Sequence, residues 1–460
     1  MKRLVLTFWV GLLGGLAVSA APFQDGDRVV FYGESITHAG FYPKMVSDFY
    51  LMRYPDREVR FFNAGVAGDN AKAAQNRFDE DVKRWQPTVV TMMFGMNDSW
   101  RNLYEPTKMK EASYVAHVRQ REKVCYETYT NNMTRLTERL TRDIPGVRLM
   151  FLTPSPYDET TTGTKTPSLV GTVAALGRFA AYGRSAAAAM KADCADFFGM
   201  CQALTERMQA KDPAFSFVGP DRVHPGEMGH LFLSYVFLKS QGVSAIVSDT
   251  ALSAADGTVA RADNAQVTAF TRLADGCAFT LHAHALPWVI QKGARPACAW
   301  APIHEELNRE RLAVSGLAKG RYTLRIDGTD VGTWTSAEWA KGIDLAQNEK
   351  TPQYRQAAEV ERMNAERHQI ESKTMRMLAA SRWYLRLKNV NPDDFDAVRA
   401  HYDQLVGKKR SKGYFERNLL AYLEKFPSRP ALEADQKARF DALLVRRKPV
   451  ARRYEIRKAE

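Results

Sequence analysis

The sequence predicts an α/β fold built on a parallel sheet, followed by a small β-rich unit and a C-terminal helical region. Two observations favour the parallel sheet. Short runs of β-branched and aromatic residues recur in the first half of the chain, and stretches of helical periodicity lie between or after them. Strands that alternate with helices are typical of a parallel sheet covered by helices. The 460 residues, 45% of them hydrophobic, suffice for more than one core.

The strands are predicted where short apolar runs stop at turn-forming residues. They cover 28–32, 59–63, 88–94 and 147–152. Helices are predicted in the remaining chain, for example over 134–142 and 176–191. Because a parallel sheet opens its ligand crevice beyond the carboxyl ends of its strands, the residues that follow these strands are expected at one edge.

Four short blocks bring polar residues to that edge. They are Gly33-Glu34-Ser35-Ile36-Thr37, Asn63-Ala64-Gly65-Val66-Ala67-Gly68-Asp69, Gly95-Met96-Asn97-Asp98 and Asp221-Arg222-Val223-His224-Pro225. Each of the first three blocks follows a predicted strand. The four blocks are therefore expected to converge on one site.

The residue types in these blocks match the needs of nucleophilic catalysis at an ester. A serine hydroxyl needs a histidine to remove its proton and a carboxylate to orient that histidine, and Ser35, His224 and Asp221 could fill these roles. The oxyanion needs preorganised donors, each worth about 10²–10³ in rate. The candidate donors are the backbone N–H groups of Ser35 and Gly68 and the side-chain amide of Asn97.

At these residues the sequence resembles the SGNH hydrolases, also called the GDSL esterase family, over about 28–242. The resemblance implies a flavodoxin-like three-layer α/β/α sandwich and ester hydrolysis without a metal or organic cofactor. It also implies the roles that its motif gives to Ser35, Gly68, Asn97, Asp221 and His224. No metal site is predicted from the remaining histidines and cysteines. The Gly-x-Ser-x-Gly elbow of the other large esterase fold is absent around the serine.

The sequence departs from the family pattern at Glu34, where the family usually has aspartate. We expect the loop to accommodate the extra methylene, and we include Glu34 among the candidate substrate-binding residues. The block containing it could alone be a helix cap, and Asp-x-x-His-Pro could alone be an ordinary loop. Their occurrence together, in order, favours a hydrolase.

The segment 99–129 follows the third block and is rich in Lys, Arg, Tyr and Glu. We predict that it forms the substrate-selecting loop, with Trp100 and Arg101 near the mouth of the site.

The first 20 residues predict a signal peptide, with Lys2 and Arg3 before an apolar stretch and Val18-Ser19-Ala20 as the cleavage site. No later stretch is long enough for a membrane span. We therefore expect an exported protein, periplasmic or secreted, with its catalytic domain over 24–247. Five cysteines leave at least one thiol free, and 277–298 and 194–201 are conceivable bridges.

The rest of the chain divides by composition. A β-rich accessory unit is predicted over 258–347, with a hairpin at Asp327-Gly328. A helical region is predicted over 350–460. It contains 26 Lys and Arg and 15 Asp and Glu, which give a net charge of +11. Its basic runs are expected to be solvated or to give weak contact with an anionic surface, and nucleic acid is not expected as a partner.

These observations favour an exported carbohydrate O-acetylesterase that acts on an acetylated glycan or a small ester. The sequence lacks the long apolar lid segment that would suggest a lipase. Two alternatives stay open. A lysophospholipase or thioesterase of the same family would prefer longer acyl chains, and a glycan-binding pseudoenzyme would bind sugar without turnover.

Overall fold

The computed structural model describes residues 22–408 and 413–459. The predicted signal peptide lies outside these residues. Lys409 and Arg410, which form part of one basic run, lie outside them as well. Within the described chain, no helix is both long enough and apolar enough to cross a membrane.

The first sheet holds all the predicted strands of the first half of the chain. Its strands are β1 (Arg28–Gly33), β2 (Arg60–Gly65), β3 (Val89–Met93), β4 (Arg148–Leu152) and β5 (Asp193–Ala195). They are parallel and lie in the order β2-β1-β3-β4-β5. This is the flavodoxin-like order, in which the strand sequence reverses beside β1.

Helices cover both faces of this sheet. They are α1 (Ser35–Ala39), α2 (Phe41–Arg53), α3 (Ala71–Ala74), α4 (Phe78–Asp81), α5 (Ala112–Asp143), α6 (Thr172–Met190), α7 (Phe197–Gln209) and α8 (Glu227–Ser240). Val29 and Phe31 of β1 pack with α2 and α8, whereas Val30 and Tyr32 pack with α5 and α6. All four side chains are fully buried. Burial on both faces explains why these strands are continuous apolar runs, and it confirms the predicted three-layer α/β/α fold.

Two further sheets form a β-rich part, which extends beyond the predicted bounds of 258–347 at both ends. Their strands are β6 (Ile246–Ser253), β7 (Val259–Asp263), β8 (Ala265–Leu273), β9 (Gly276–Ala283), β10 (Arg309–Ser315), β11 (Arg321–Ile326), β12 (Thr329–Thr335), β13 (Ile343–Asp344) and β14 (Arg452–Lys458). The strand orders are β13-β10-β6-β7 and β12-β11-β14-β9-β8. Short helices α9 (Ile303–Leu307) and α10 (Ser336–Lys341) complete this part. Phe279, Leu324 and Trp339 belong to its shared core.

The predicted Asp-Gly hairpin is present between β11 and β12. Asp327 has a φ of 50° and Gly328 a φ of 79°. Two consecutive residues with positive φ make the tight turn that matches the twist of a two-stranded hairpin.

The C-terminal helices are α11 (Pro352–Ile370), α12 (Arg376–Leu387), α13 (Phe395–Gly407), α14 (Tyr414–Lys425) and α15 (Arg429–Arg446), with a π-helical turn at Glu371–Met375 between the first two. The prediction of a helical region up to 460 was wrong at its end, because β14 follows α15 and pairs between β9 and β11. Tyr454 and Ile456 alternate with charged residues and are buried in the β-rich core. The charged residues masked this alternation, so the sequence analysis included the segment in the helical region.

All five cysteines lie in the described part of the chain and are free thiols. The two conceivable bridges are therefore not formed in the structure. Burial raises the pKa of Cys277 to about 11, which keeps that thiol protonated at neutral pH.

Candidate active site

The first three sequence blocks meet where their strands end. Gly33, the last residue of β1, pairs in register with Gly65 of β2 and Met93 of β3. The chain leaves all three strands at the same level of the sheet. Ser35 is the first residue of α1, directly beyond this edge.

The fourth block brings His224 and Asp221 to Ser35. The Nε2 atom of His224 lies 2.7 Å from the Oγ atom of Ser35, and its Nδ1 atom lies 2.6 Å from Asp221 Oδ2. The other carboxylate oxygen of Asp221 accepts hydrogen bonds of 3.0 Å from the backbone N–H groups of Val223 and His224. The histidine is therefore held between a hydroxyl and a fixed carboxylate.

The Asp221 carboxyl is set for the ionised form. Partial burial raises its pKa, but the hydrogen bonds from the His224 ring and from the backbone of His224 and Val223 outweigh that effect and lower it. The side chains of His224 and Asp221 are 49% and 52% exposed, so the site is open to solvent.

Arg222 anchors the turn that carries this pair, a role that the sequence analysis missed. Its backbone has a φ of 66°, and its side chain is buried. The guanidinium donates to the carbonyl oxygens of Thr166 at 2.7 Å and Asp158 at 2.9 Å. Charge alone would place Arg222 on the surface, and nothing local in the sequence identifies these distant carbonyl partners.

Two of the three predicted oxyanion donors have no hydrogen-bond acceptor within the described part of the chain. No acceptor among the described residues bonds to the backbone N–H of Ser35 or Gly68. Gly68 has a φ of +76°, and a Cβ atom built on it would meet nothing within 4 Å. The glycine is needed for its backbone conformation rather than for space.

Asn97 lies at the site but is already hydrogen-bonded. Its Nδ2 atom donates to Glu34 Oε2 and to the backbone oxygen of Asp69, both at 2.8 Å. These bonds tie the first, second and third blocks together. Donation from Asn97 to an oxyanion stays a prediction.

Glu34 joins the first block to the third beneath the site, and its predicted substrate-binding role stays a prediction. Its Oε1 atom accepts from Gly95 N at 2.5 Å, and its Oε2 atom accepts from Asn97 N at 3.1 Å. The residue is only 4% exposed. Burial, together with the charge of Asp98, raises the pKa of Glu34 well above its usual range, although the backbone hydrogen bonds oppose this. The extra methylene is accommodated because the carboxylate still reaches two backbone N–H groups of the third block.

A buried ionic network supports the second block from below. Arg77 donates to the carbonyl oxygens of Gly33 at 3.1 Å and Ala64 at 2.6 Å. It also pairs with Asp69 at 2.7 Å and Asp81 at 2.8 Å. The spacing of Arg77 and Asp81 on one helical turn was a signal that could have identified this pair.

Arg376 of α12 completes the network from the C-terminal region. It donates to the Gly65 carbonyl oxygen at 2.6 Å and to Asp81 at 3.1 Å. Burial of Asp81 raises its pKa, but Arg376 and Arg77 outweigh this and lower it to about 2. The loop that carries Gly68 is therefore fixed partly by residues outside the α/β sandwich.

The C-terminal region also touches α1. The hydroxyl of Tyr414 lies 3.3 Å from His38 Nε2, and His38 Nδ1 accepts from the backbone N–H of Ala67 at 3.3 Å. Burial lowers the pKa of His38 to about 3, so its ring is neutral. His38 thus links α14 to the second block.

The third block opens into a cavity of about 460 Å³. Its lining residues are Met96, Asn97, Trp100, Arg101, Asn102, Leu103 and Arg121. The structure therefore places Trp100 and Arg101 beside Asn97, near the predicted mouth. The predicted loop over 99–129 was wrong in its extent, because α5 begins at Ala112. Val118, Cys125 and Tyr129 begin the buried stripe of that helix, which the many charged residues obscured.

The chain is similar to several known proteins. The model of the GDSL-like lipase/acylhydrolase family matches residues 31–231. An acetylxylan esterase from Geobacillus stearothermophilus is 28% identical over 233 residues, which are 47% of this chain and 95% of that protein. The solved structure of BT4096, a gut microbial diltiazem-metabolizing enzyme, is 30% identical and covers 96% of this chain and 100% of its own, with a TM-score of 0.88.

The chain belongs to the GDSL esterase family. It is therefore an esterase of the SGNH type. The similarity to BT4096 extends through the sandwich, the β-rich part and the C-terminal helices. A structure of Axe2, the acetylxylan esterase from Geobacillus stearothermophilus, aligns over 48% of this chain and 97% of its own at 20% identity, with a TM-score of 0.36. In the described residues, no group of three or more His, Cys, Asp or Glu side chains is arranged to hold a metal ion.

Proposed function

We propose that the protein is an exported acetylesterase that removes O-acetyl groups from carbohydrates through an acyl-enzyme. The observation that carries the catalytic part is the 2.7 Å contact between Ser35 Oγ and His224 Nε2, with Asp221 on the other side of the ring. Similarity to an acetylxylan esterase supports the acetyl group and the carbohydrate.

The proposed reaction has two halves. His224 Nε2 takes the proton of Ser35, whose Oγ attacks the acetyl carbonyl, and Asp221 stabilises the resulting imidazolium. The backbone N–H groups of Ser35 and Gly68, with the amide of Asn97, receive the negative charge. The imidazolium then protonates the departing sugar oxygen.

Water completes the second half by the same route. His224 removes a proton from water, the hydroxide attacks the acetyl-serine carbonyl, and the returning proton restores the Ser35 hydroxyl as acetate leaves. This sequence consumes one ester and one water, and it yields one alcohol and acetic acid.

The space beside Ser35 supports a small acyl group. A cavity of only about 10 Å³ lies among residues of the first and third blocks and the chain after β4. Its lining residues are Glu34, Ser35, Ile36, Met93, Phe94, Met96, Pro154 and Ser155. Such a volume holds about one water-sized group. An acetyl methyl fits this space better than a long acyl chain does.

The test is the rate of hydrolysis of p-nitrophenyl acetate, butyrate and octanoate by the wild-type protein and by Ser35→Ala. Ser185→Ala, at an exposed position of α6, is the matched control. We expect rapid acetate release that falls with chain length and is lost only in Ser35→Ala. Preference for octanoate would support the lysophospholipase or thioesterase alternative. Equal background rates in all three proteins would support the pseudoenzyme.

The sugar preference needs a second measurement. Acetate release from acetylated xylooligosaccharides would support the carbohydrate assignment. Diltiazem should be included, because the relative BT4096 is named for metabolising it. Turnover of diltiazem with no acetate release from any acetylated glycan would contradict the carbohydrate assignment.

A further inference from the structure

The 460 Å³ cavity beside Asn97 is the larger space at the candidate site. It adjoins the proposed oxyanion donor, whereas the small cavity beside Ser35 suits the acetyl methyl. A substrate whose carbonyl lies between Ser35 and Asn97 would extend its alcohol part into the larger space. This inference rests on the proposed esterase function and concerns that alcohol part.

The charge of the cavity comes from two guanidinium groups. Arg101 donates to the Met96 carbonyl oxygen at 3.4 Å, and Arg121 projects from α5 into the same lining. Neither forms an ion pair with any residue of the described chain. The nearest acidic neighbour in sequence, Glu122, instead accepts from Tyr104 at 2.9 Å and lies 3.8 Å from Arg178. Among the described residues, the two guanidinium groups therefore bring positive charge to the cavity lining without a paired carboxylate.

Trp100 holds one of these groups in place. The guanidinium carbon of Arg121 lies 4.7 Å from the centre of the Trp100 ring. A cation over an indole face is attracted by the ring, and this contact restricts the arginine without using its N–H donors. Trp100 has a φ of 48°. That conformation is costly for a non-glycine residue and is found preferentially at functional sites.

Two guanidinium groups without a paired carboxylate, one of them over the Trp100 ring, suit an anion with planar oxygens. A carboxylate can accept two parallel N–H bonds from one arginine, a geometry that a lysine does not offer. We propose that this cavity binds a carboxylate on the alcohol part of the ester, so that the preferred substrates are acetylated sugars that carry a uronic acid group.

The experiment compares paired substrates of the same size. Mono-O-acetylated methyl glucuronosides carry the carboxylate, and mono-O-acetylated methyl glucosides lack it. The 6-sulfated glucosides carry a tetrahedral anion instead. The measurement is kcat/KM from acetate release by the full chain at low ionic strength, and again with added sodium chloride.

The wild-type protein should favour the glucuronosides over the glucosides by about tenfold or more, because hydrogen bonds between a guanidinium and a carboxylate are roughly twice as strong as neutral ones. Salt should reduce this ratio, since the cavity is open to solvent. Arg101→Gln and Arg121→Gln should each reduce it through KM, and Arg121→Lys should restore only part of it. Arg119→Gln, at an exposed position of α5, is the control and should keep the wild-type ratio.

The outcomes distinguish a failure of this inference from a failure of the proposed esterase function. Ser35-dependent hydrolysis with equal kcat/KM for glucuronosides and glucosides would overturn the inference alone. A ratio that falls as much in Arg119→Gln as in the other variants would overturn it too, and preference for sulfated sugars would overturn the carboxylate assignment. Rates that do not depend on Ser35 would overturn the proposed function and this inference with it.

Discussion

The guanidinium of Arg376 donates two hydrogen bonds to the carbonyl oxygen of Gly65, a residue 311 positions earlier in the chain. Gly65 ends β2 and begins the loop that leads to Gly68. Val66, the next residue, is buried in a core formed with the C-terminal helices. The backbone geometry of this candidate oxyanion loop thus depends on the C-terminal region as well as on the sandwich.

Substitution of Arg376 by methionine should therefore affect both stability and catalysis. It leaves the Gly65 carbonyl without this donor and removes one cation from buried Asp81. Breaking a buried ion pair costs about 3–5 kcal/mol. We expect a lower thermal midpoint and a lower kcat on p-nitrophenyl acetate. Lys373→Met, at an exposed position of the adjacent π-helical turn, should change neither, and an unaltered kcat in folded Arg376→Met would contradict the positioning role.

The same network predicts how stability depends on pH. The pKa of Asp81 is about 2 in the folded protein and 3.8 for the ordinary side chain. Because the folded pKa is depressed, the stabilisation is fully present above pH 3.8 and is lost as the pH falls through about 2. Denaturant unfolding of wild type and Asp81→Asn should differ by about 2 kcal/mol above that range and converge below it. A difference that stays constant from pH 5 to about pH 2 would rule out this origin.

Glu34 should matter for the alignment of the site rather than for substrate affinity. Glu34→Ala leaves the backbone N–H groups of Gly95 and Asn97 without their acceptor. Each unsatisfied buried donor costs about 1–3 kcal/mol. We expect kcat and the unfolding midpoint to fall while KM changes little. Glu34→Asp should recover part of both losses, and a rise in KM with unchanged kcat would instead support the substrate-binding assignment.

The proposed oxyanion role of Asn97 requires a change of hydrogen-bond partner, because its amide already bonds to Glu34 and Asp69. If the amide turns from one of these acceptors to the oxyanion, Asn97→Ala should lower kcat about 10²–10³-fold with little change in KM. Asn131→Ala, exposed on α5, is the control. A loss of less than about threefold would leave the two backbone donors as the oxyanion site.

The sequence was most informative where one local pattern determines the structure. Ser35, Gly68 and Asn97 were located because each follows a short buried strand, and the Asp327-Gly328 turn was located because its residues tolerate positive φ. The relation of Asp221 to His224 was also local, since both lie on one turn. The parallel sheet followed from the same strands and from the helices between them.

The sequence was least informative where distant partners determine the environment of a residue. Arg376 and Arg222 are buried because carbonyl groups far along the chain accept their hydrogen bonds. Arg121 lines a cavity because the start of α5 returns toward the third block. Tyr454 is a core residue only because two other strands flank it. The composition showed charged residues near each of these positions, but it did not identify the distant residues that contact them.

The position of β14 has a consequence for the order in which the protein is made. Residues 452–458 lie between β9 and β11, so these two strands are not each other's neighbours. During synthesis both keep an unpaired edge until the whole of α11–α15 has been produced. Exposed strand edges invite association with other chains. Completion of this sheet is therefore a late, long-range event, and a nascent chain halted before residue 452 would present two open edges to its surroundings.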